Sequence, residues 1–262
     1  MDRDKILQHF TLETEKYTAS ILLDKIEQLL ATGKPQVTDF FDPYQQRVAD
    51  RVLHYYREIK QIAWGGYAAA ERVRIFIFPS AQQFSNHDVP LSYVEAKLSA
   101  PDKVLTHRDF LGSLLGLGLR REKIGDILVT DDGRAQVVLH PEILNFILVN
   151  WQTASKYTIN VRAITPAELT PGTGRSRSIR TTVASLRLDA VASSGFGLSR
   201  SKLTPAIRAG HVKLNWQSVK NASAAVKEGD IISVAGRGRV EVEQILGESK
   251  KGRVQLLLKK YI

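Results

Sequence analysis

The sequence predicts an α+β protein in three parts: a helical N-terminal region over residues 1–68, a mixed α/β central domain over 69–168 and, after a linker at 169–179, a small basic module over 180–262. Three observations lead there. Apolar residues recur at helical spacing through residues 1–60 and then give way to short β-rich runs alternating with helical ones. The stretch Thr170-Pro-Gly-Thr-Gly-Arg-Ser-Arg-Ser178 breaks both patterns and reads as a linker, itself basic through Arg175 and Arg177. Charge changes at the same place: residues 1–170 hold 20 Lys and Arg against 21 Asp and Glu, whereas residues 171–262 hold 17 against 6, a net of +11.

Ile21, Leu22, Ile26, Leu29 and Leu30 mark the first helix, with Gly33 as its stop. Gln45 to Ile62, with Val48, Val52, Tyr55, Tyr56 and Ile59 on one side, predicts a second, and Asp39-Phe-Phe-Asp-Pro43 reads as the turn between them. The central domain opens with the β-rich run Val73–Phe78, closed by Pro79, and a shorter strand at Val94–Leu98. Thr106 is placed to cap a helix through Phe110, Leu111, Leu114 and Leu115. Asp126–Thr130 and Ala135–Leu139 flank Asp131-Asp-Gly133, a hairpin signal. Pro141 opens another helix, and Tyr157–Ile164 closes the domain as a strand. This order predicts helices packed on a largely antiparallel sheet.

In the basic module, Leu186–Asp189 starts a short helix that Ser193-Ser-Gly-Phe-Gly-Leu198 breaks. Ser199 then caps a second helix, with Arg200 and Lys202 in its first turn and Gly210 at its end. His211–Asn215 begins a strand, Gly229-Asp230 turns into Ile231–Val234, and Gly236-Arg-Gly-Arg239 leads into the alternating strand Val240–Glu243. A helix N-terminus favours anions through its free N–H groups and dipole, so cations placed there are not for helix stability. Arg200 and Lys202 therefore read as phosphate partners, with Arg187 and Arg208 extending the patch, and the arginine fork suits a phosphate.

Other chemistry is set aside. There are no cysteines, which excludes disulfides and thiolate metal sites and fits a reducing compartment. Six histidines (9, 54, 87, 107, 140 and 211) are scattered without metal-ligand spacing, and no cofactor or metal is expected. His107-Arg-Asp109 copies a kinase triplet, but the asparagine five residues on, the glycine-rich loop and the lysine strand are missing. No Gly-x-x-x-x-Gly-Lys-Ser/Thr loop and no Gly-x-Ser-x-Gly elbow occurs, and Asp131-Asp132 reads as turn chemistry. No apolar run approaches the roughly 18 residues a membrane span needs, and MDRDKILQHF has no signal-type apolar region. Trp64 and Trp151 read as core or interface residues.

The residues Arg187-Leu-Asp189, Ser199-Arg-Ser-Lys202, Ile207, Gly210, Val212-Lys-Leu-Asn215, Gly229-Asp230 and Gly236-Arg-Gly-Arg239 resemble the S-four (αL) RNA-binding domain. The resemblance implies two packed helices followed by a strand-rich segment, with RNA held by Arg187, Ser199, Arg200, Ser201, Lys202, Arg208, Lys213, Asn215, Arg237 and Arg239. Two positions depart from the pattern. Trp216 stands where the domain has a glycine, and Pro205 falls inside the second helix, so that helix is kinked or its regular part starts at Thr204. S-four domains also accompany pseudouridine synthases and tyrosyl-tRNA synthetases, but neither catalytic domain has room or signature motifs here.

Over nearly the whole chain, Thr38-Asp-Phe-Phe-Asp-Pro43, Gly65-Gly-Tyr67, Glu71-Arg72 and the run from His107 to Asp126 resemble the YlmH family, including the relatives in cyanobacteria and plastids called photosystem II S-four domain proteins. The resemblance implies an RRM-like (ferredoxin-like) central domain and a cytoplasmic, non-enzymatic, monomeric RNA-binding protein. Its expected partners are rRNA, tRNA and the large ribosomal subunit, in rescue of stalled translation. The alternative is an interaction or assembly factor for cell division or photosystem II, with secondary RNA binding. Tyr67, Arg72, Arg120, Arg121 and Lys123 are candidates for a second RNA contact. Tyr67 reads either as a base-stacking ring or as a packed turn tyrosine, and the basic run either as phosphate contacts or as a complement to a helix C-terminus.

Overall fold

The computed structural model describes residues 3–99, 105–130, 132–171, 176–249 and 252–261. The chain forms two units, Met1–Gly172 and Thr173–Ile262, dividing inside the predicted linker. Arg175 lies outside the described residues.

The first unit opens with α1 (Arg3–Gln8) and α2 (Glu13–Thr32). Helix α2 buries Leu22, Leu23, Ile26 and Leu29 and ends where the N–H of Gly33 donates to the Leu29 carbonyl. The segment expected to be a turn is instead mostly strand β1 (Gln36–Phe41). Alternation explains it: Phe40 and Phe41 are both buried, but in two different clusters on opposite faces of the strand. Asp42 then caps α3 (Pro43–Leu53), accepting from the N–H groups of Tyr44 and Gln45. That helix stops at Leu53, well before the predicted Ile62, because Ile59–Trp64 forms β2 and pairs along β3 (Val73–Pro79). The sheet order is β1-β3-β2, all antiparallel. The N-terminal region is therefore not helical alone, and the run 73–79, expected in the central domain, is its middle strand. The core of α2 and α3 claims Val73, Ile75 and Ile77.

The central domain follows as β4 (Ser92–Leu98), α4 (His107–Gly116), β5 (Ile124–Val129), β6 (Ala135–Leu139), α5 (Leu144–Asn150), the short β7 (Thr153–Ala154) and β8 (Tyr157–Ile164). The strands are antiparallel in the order β5-β6-β4-β8-β7, and this β-α-β-β-α-β arrangement is the RRM-like, ferredoxin-like fold. Val94, Ala96, Val137 and Leu139 face the helices, where Phe110 and Trp151 fill the core. Trp151 Nε1 donates to Ser113 Oγ at 2.8 Å. The other face of the sheet is also covered. Tyr93 and Val138 pack against Phe40 and Leu169, and buried Glu95 accepts from Arg134 and Arg162.

The second unit is a six-stranded antiparallel sheet with two helices on one face. Its elements are β9 (Ser176–Val183), α6 (Leu188–Phe196), α7 (Arg200–Arg208), β10 (Val212–Leu214), β11 (Gln217–Ser218), β12 (Ile231–Val234), β13 (Gly238–Glu248) and β14 (Val254–Tyr261). Strand β9 pairs with β14 along its length, so residues 176–179 and Arg177 belong to the sheet and not to a linker. Helix α6 is not broken at Ser193. Gly195 lets it lie directly on the sheet, where a Cβ would come within 2.9 Å of Val240 Cγ1, and the helix ends at Gly197 with a left-handed φ of +64°. Helix α7 starts at Arg200 despite Pro205, so its regular part does not wait for Thr204. At the β10–β11 turn Asn215 and Trp216 both take positive φ, +50° and +67°, so Trp216 keeps the backbone hand that the usual glycine would adopt freely.

Candidate nucleic-acid interface

Arg187, Arg200 and Lys202, all exposed, lie where α6 and α7 begin. Asp189 sits in the first turn of α6, where a carboxylate complements the helix dipole, and its side chain is only 9% exposed. It accepts from Arg187 Nε at 3.2 Å and Nη2 at 3.4 Å, and lies 3.5 Å from Arg200 Nη2. One carboxylate thus tethers guanidiniums from two elements. Both arginine side chains stay about half exposed, at 46% and 49%. Each guanidinium has five N–H donors, more than Asp189 can accept, so the remainder is available to a ligand. Lys202, one residue beyond Ser201 on α7, is exposed and has no ion pair among the described residues. The Ser199 and Ser201 hydroxyls lie 2.9 Å apart and are also exposed.

The structure narrows the predicted set. Arg187, Ser199, Arg200, Ser201 and Lys202 come together; the others do not join them. Arg208 is exposed in the last turn of α7, about 12 Å along the axis from Arg200 at 1.5 Å per residue. Lys213 and Arg239 lie on the sheet face away from the helices, in a cross-strand row through Ser233 to Tyr261. Arg239 stacks over the Tyr261 ring at 4.7 Å. Arg237 is exposed in the turn before β13. Asn215 is turned inward: its amide donates to Asp230 at 2.8 Å and its carbonyl accepts from the Ile231 N–H at 2.9 Å, which pins the turn to β12.

Most residues expected to form a second contact in the first unit bond to the protein's own groups. Tyr67 donates to partly buried Asp126 at 2.7 Å, and the N–H groups of Glu71 and Arg72 donate to the same carboxylate. Burial pushes that carboxyl up from its ordinary range. Gly65 is required close by, since a Cβ there would collide with the Arg72 carbonyl at 2.2 Å. Arg72 donates to the carbonyls of Ile124, Phe40 and Arg121, and Arg121 to those of Ile124 and Gly125. Burial lowers both guanidiniums, Arg121 to about 10, which leaves Arg121 charged at neutral pH. Lys123 pairs with Asp39 at 2.8 Å and Glu142 at 2.6 Å. Only Arg120 of this group is exposed, at 70%, with Asp39 at 3.8 Å. The kinase-like triplet is a cap: Asp109 accepts from the N–H and hydroxyl of Thr106. Among the described residues no group of His, Asp and Glu is placed to hold a metal ion, and no helix is long and apolar enough to cross a membrane.

Arg253 stands outside the predicted set; its Nε and Nη2 donate to the hydroxyl and carbonyl of Thr182. The signal was there: Gly252 between two alternating apolar runs marks a hairpin, and basic residues cluster around it.

An RRM-like domain followed by a two-helix, strand-rich module with clustered arginines defines an S-four protein of RNA-binding type. The family models agree, with "YlmH, N-terminal" matching residues 14–81, "Putative RNA-binding domain in YlmH" matching 81–168 and "S4 domain" matching 186–232. The chain belongs to the YlmH family. It is 32% identical over 218 residues to "Ribosome-associated protein quality control protein P2" of Bacillus subtilis, covering 83% of this chain and 84% of that protein. Its fold is similar to that of the "Cell division protein ylmH from Streptococcus pneumoniae", with a TM-score of 0.52 and 22% identity over 61% of this chain and 96% of that one.

Proposed function

We propose that this protein is a non-enzymatic RNA-binding factor that holds rRNA and tRNA on the large ribosomal subunit during quality control of translation. The observation that carries the reading is the tethered pair Arg187 and Arg200, half exposed over one buried carboxylate beside Lys202. Tethering limits the side-chain entropy lost on binding, and the outward N–H groups match phosphate oxygens. The charge distribution agrees, since the positive excess of the chain lies in residues 171–262. The name of the Bacillus subtilis relative supports the choice of a ribosomal target over a free RNA. Arg187, Arg200 and Lys202, with Ser199 and Ser201, are the primary contacts in this reading. Arg208, Arg237, Lys213 and Arg239 serve RNA that continues past them.

The test is sedimentation of the tagged protein through sucrose gradients of cell extract, followed by in-cell crosslinking and sequencing of the attached RNA. The expected result is co-migration with the large subunit, lost at high salt, with crosslinks to rRNA and tRNA. A protein that stays with division or membrane-assembly fractions and carries no RNA would overturn the reading.

A further inference from the structure

The cationic edge continues onto the sheet. The two bonds from Arg253 to Thr182, at 3.2 and 2.9 Å, hold its guanidinium against β9. There it lines a pocket of about 340 Å³ that Arg200 also lines. Val183, Ala190 and Leu198 give the pocket an apolar side, and no Asp or Glu among the described residues lines it. Ser193, on α6, lines it too. A helical serine ordinarily bonds a carbonyl one turn back, yet the Ser193 hydroxyl is buried and has no partner among the described residues. Its neighbour differs, since Ser194 Oγ meets Thr181 Oγ1 at 2.6 Å. Strand β9 and Arg253, which immediately precedes β14, lie outside the residues 186–232 that match the S4 domain, so part of this pocket is built beyond it.

We propose that this pocket takes one unpaired nucleotide of the bound RNA, with its phosphate between Arg200 and Arg253 and its sugar or base against the apolar side. The inference rests on the RNA-binding reading of this unit and deepens it. Two guanidiniums with no lining carboxylate fit a phosphate, the volume falls in the range of about 300–1,000 Å³ usual for small-ligand sites, and single-stranded RNA presents bases free to leave the stack. The Ser193 hydroxyl supplies a hydrogen bond that no described residue of the protein uses.

The test compares binding of the full chain to a labelled stem–loop RNA with an unpaired loop and to a blunt duplex of equal length. Arg253→Gln is expected to weaken stem–loop binding about tenfold, as loss of a hydrogen bond to a charged group implies, and to lower the salt slope by about 0.7. Its effect on the duplex is expected to be much smaller. Arg253→Lys restores the slope but not the full affinity, because it lacks the fork. Ser193→Ala is expected to weaken stem–loop binding with the melting temperature unchanged or raised; a lowered melting temperature with intact binding would make the hydroxyl structural and count against the site. Full stem–loop affinity in Arg253→Gln, alongside lost binding in Arg200→Ala/Lys202→Ala, would sink the pocket and leave the RNA reading standing. Equal losses on stem–loop and duplex would reduce Arg253 to diffuse charge and also overturn the proposal. If the wild-type protein binds neither RNA, both readings fail together.

Discussion

Arginine has opposite roles in the two units. In the first, Arg72 and Arg74 are buried, Arg121 is partly buried, and all three donate to backbone carbonyls: Arg74, only 2% exposed, reaches Thr38 and Pro90 at 2.8 and 2.5 Å. Burial holds the Arg74 guanidinium down at about 10. In the second, Arg187 and Arg200 are half exposed and share one carboxylate. The difference teaches that a basic residue in a motif says little until its donors are followed. Where every donor ends on a carbonyl, the residue holds the fold together; where donors remain at the surface, it is available to a polyanion. The RRM-like sheet shows the same contrast. The face on which an RRM stacks bases is filled by Tyr93, Val138, Phe40 and the Glu95 ion pairs, so no aromatic platform is open there among the described residues.

Substitutions should separate the two roles. The largest effect is expected from Arg74→Ala, which strands the Thr38 and Pro90 carbonyls. A loss of about 3 kcal/mol is expected, seen in thermal melts as a fall of roughly 10 °C, with RNA affinity unchanged wherever the variant is folded. Arg200→Ala with Lys202→Ala is the converse. RNA affinity measured by fluorescence anisotropy should fall by about 2–3 kcal/mol, roughly 30- to 150-fold, while stability changes by under about 1 kcal/mol. Equal losses of stability in both variants would erase the contrast.

A smaller effect concerns pH. Burial, with Arg74 and Lys123 close by, lowers His140 below its ordinary 6.5, and its Nδ1 accepts from the Glu142 N–H as a neutral ring does. Because the unfolded chain takes up this proton first, the stability due to neutral His140 is present above pH 6.5 and is lost as pH falls from there towards the lowered value. Melting temperatures of the first unit should therefore drop across that window, and His140→Gln should flatten the drop. The smallest effects are expected from Arg208→Ala and Lys213→Ala, each about twofold in RNA affinity, as for charges at an interface rim.

How much of this was legible in the sequence follows the same line. The starts of the two S-four helices, the hairpin at 126–139 and the Thr106 cap were readable because local periodicity and capping chemistry decide them. Strand β1 was not, since Asp39-Phe-Phe-Asp-Pro43 has turn residues at both ends and only the two buried faces of a sheet make it a strand. The helix expected to reach Ile62 failed for a related reason: Tyr55, Tyr56 and Ile59 fit a helical stripe, but tertiary pairing with β3 takes the residues from Ile59 onward. Within the candidate site, the place of Arg200 and Lys202 in a helix first turn was legible. The bonds of Asn215 to Asp230 and Ile231 were not, because those partners are distant in sequence. Arg72, Arg121 and Lys123 were ambiguous as charges in a motif, and their carbonyl and carboxylate partners come from other elements. Spacing finds charges, but the destination of each donor is a tertiary fact.

The central claim is that the edge formed by α6 and α7 binds RNA phosphate directly. Its most direct test is the salt dependence of rRNA affinity in the wild-type chain and in Arg200→Ala/Lys202→Ala. A steep negative slope of log affinity against log salt is expected in the wild type, made shallower in the variant by about 1.4–1.8, the value for two phosphates no longer neutralised. An identical slope in both proteins, or a wild-type affinity indifferent to salt, would contradict it.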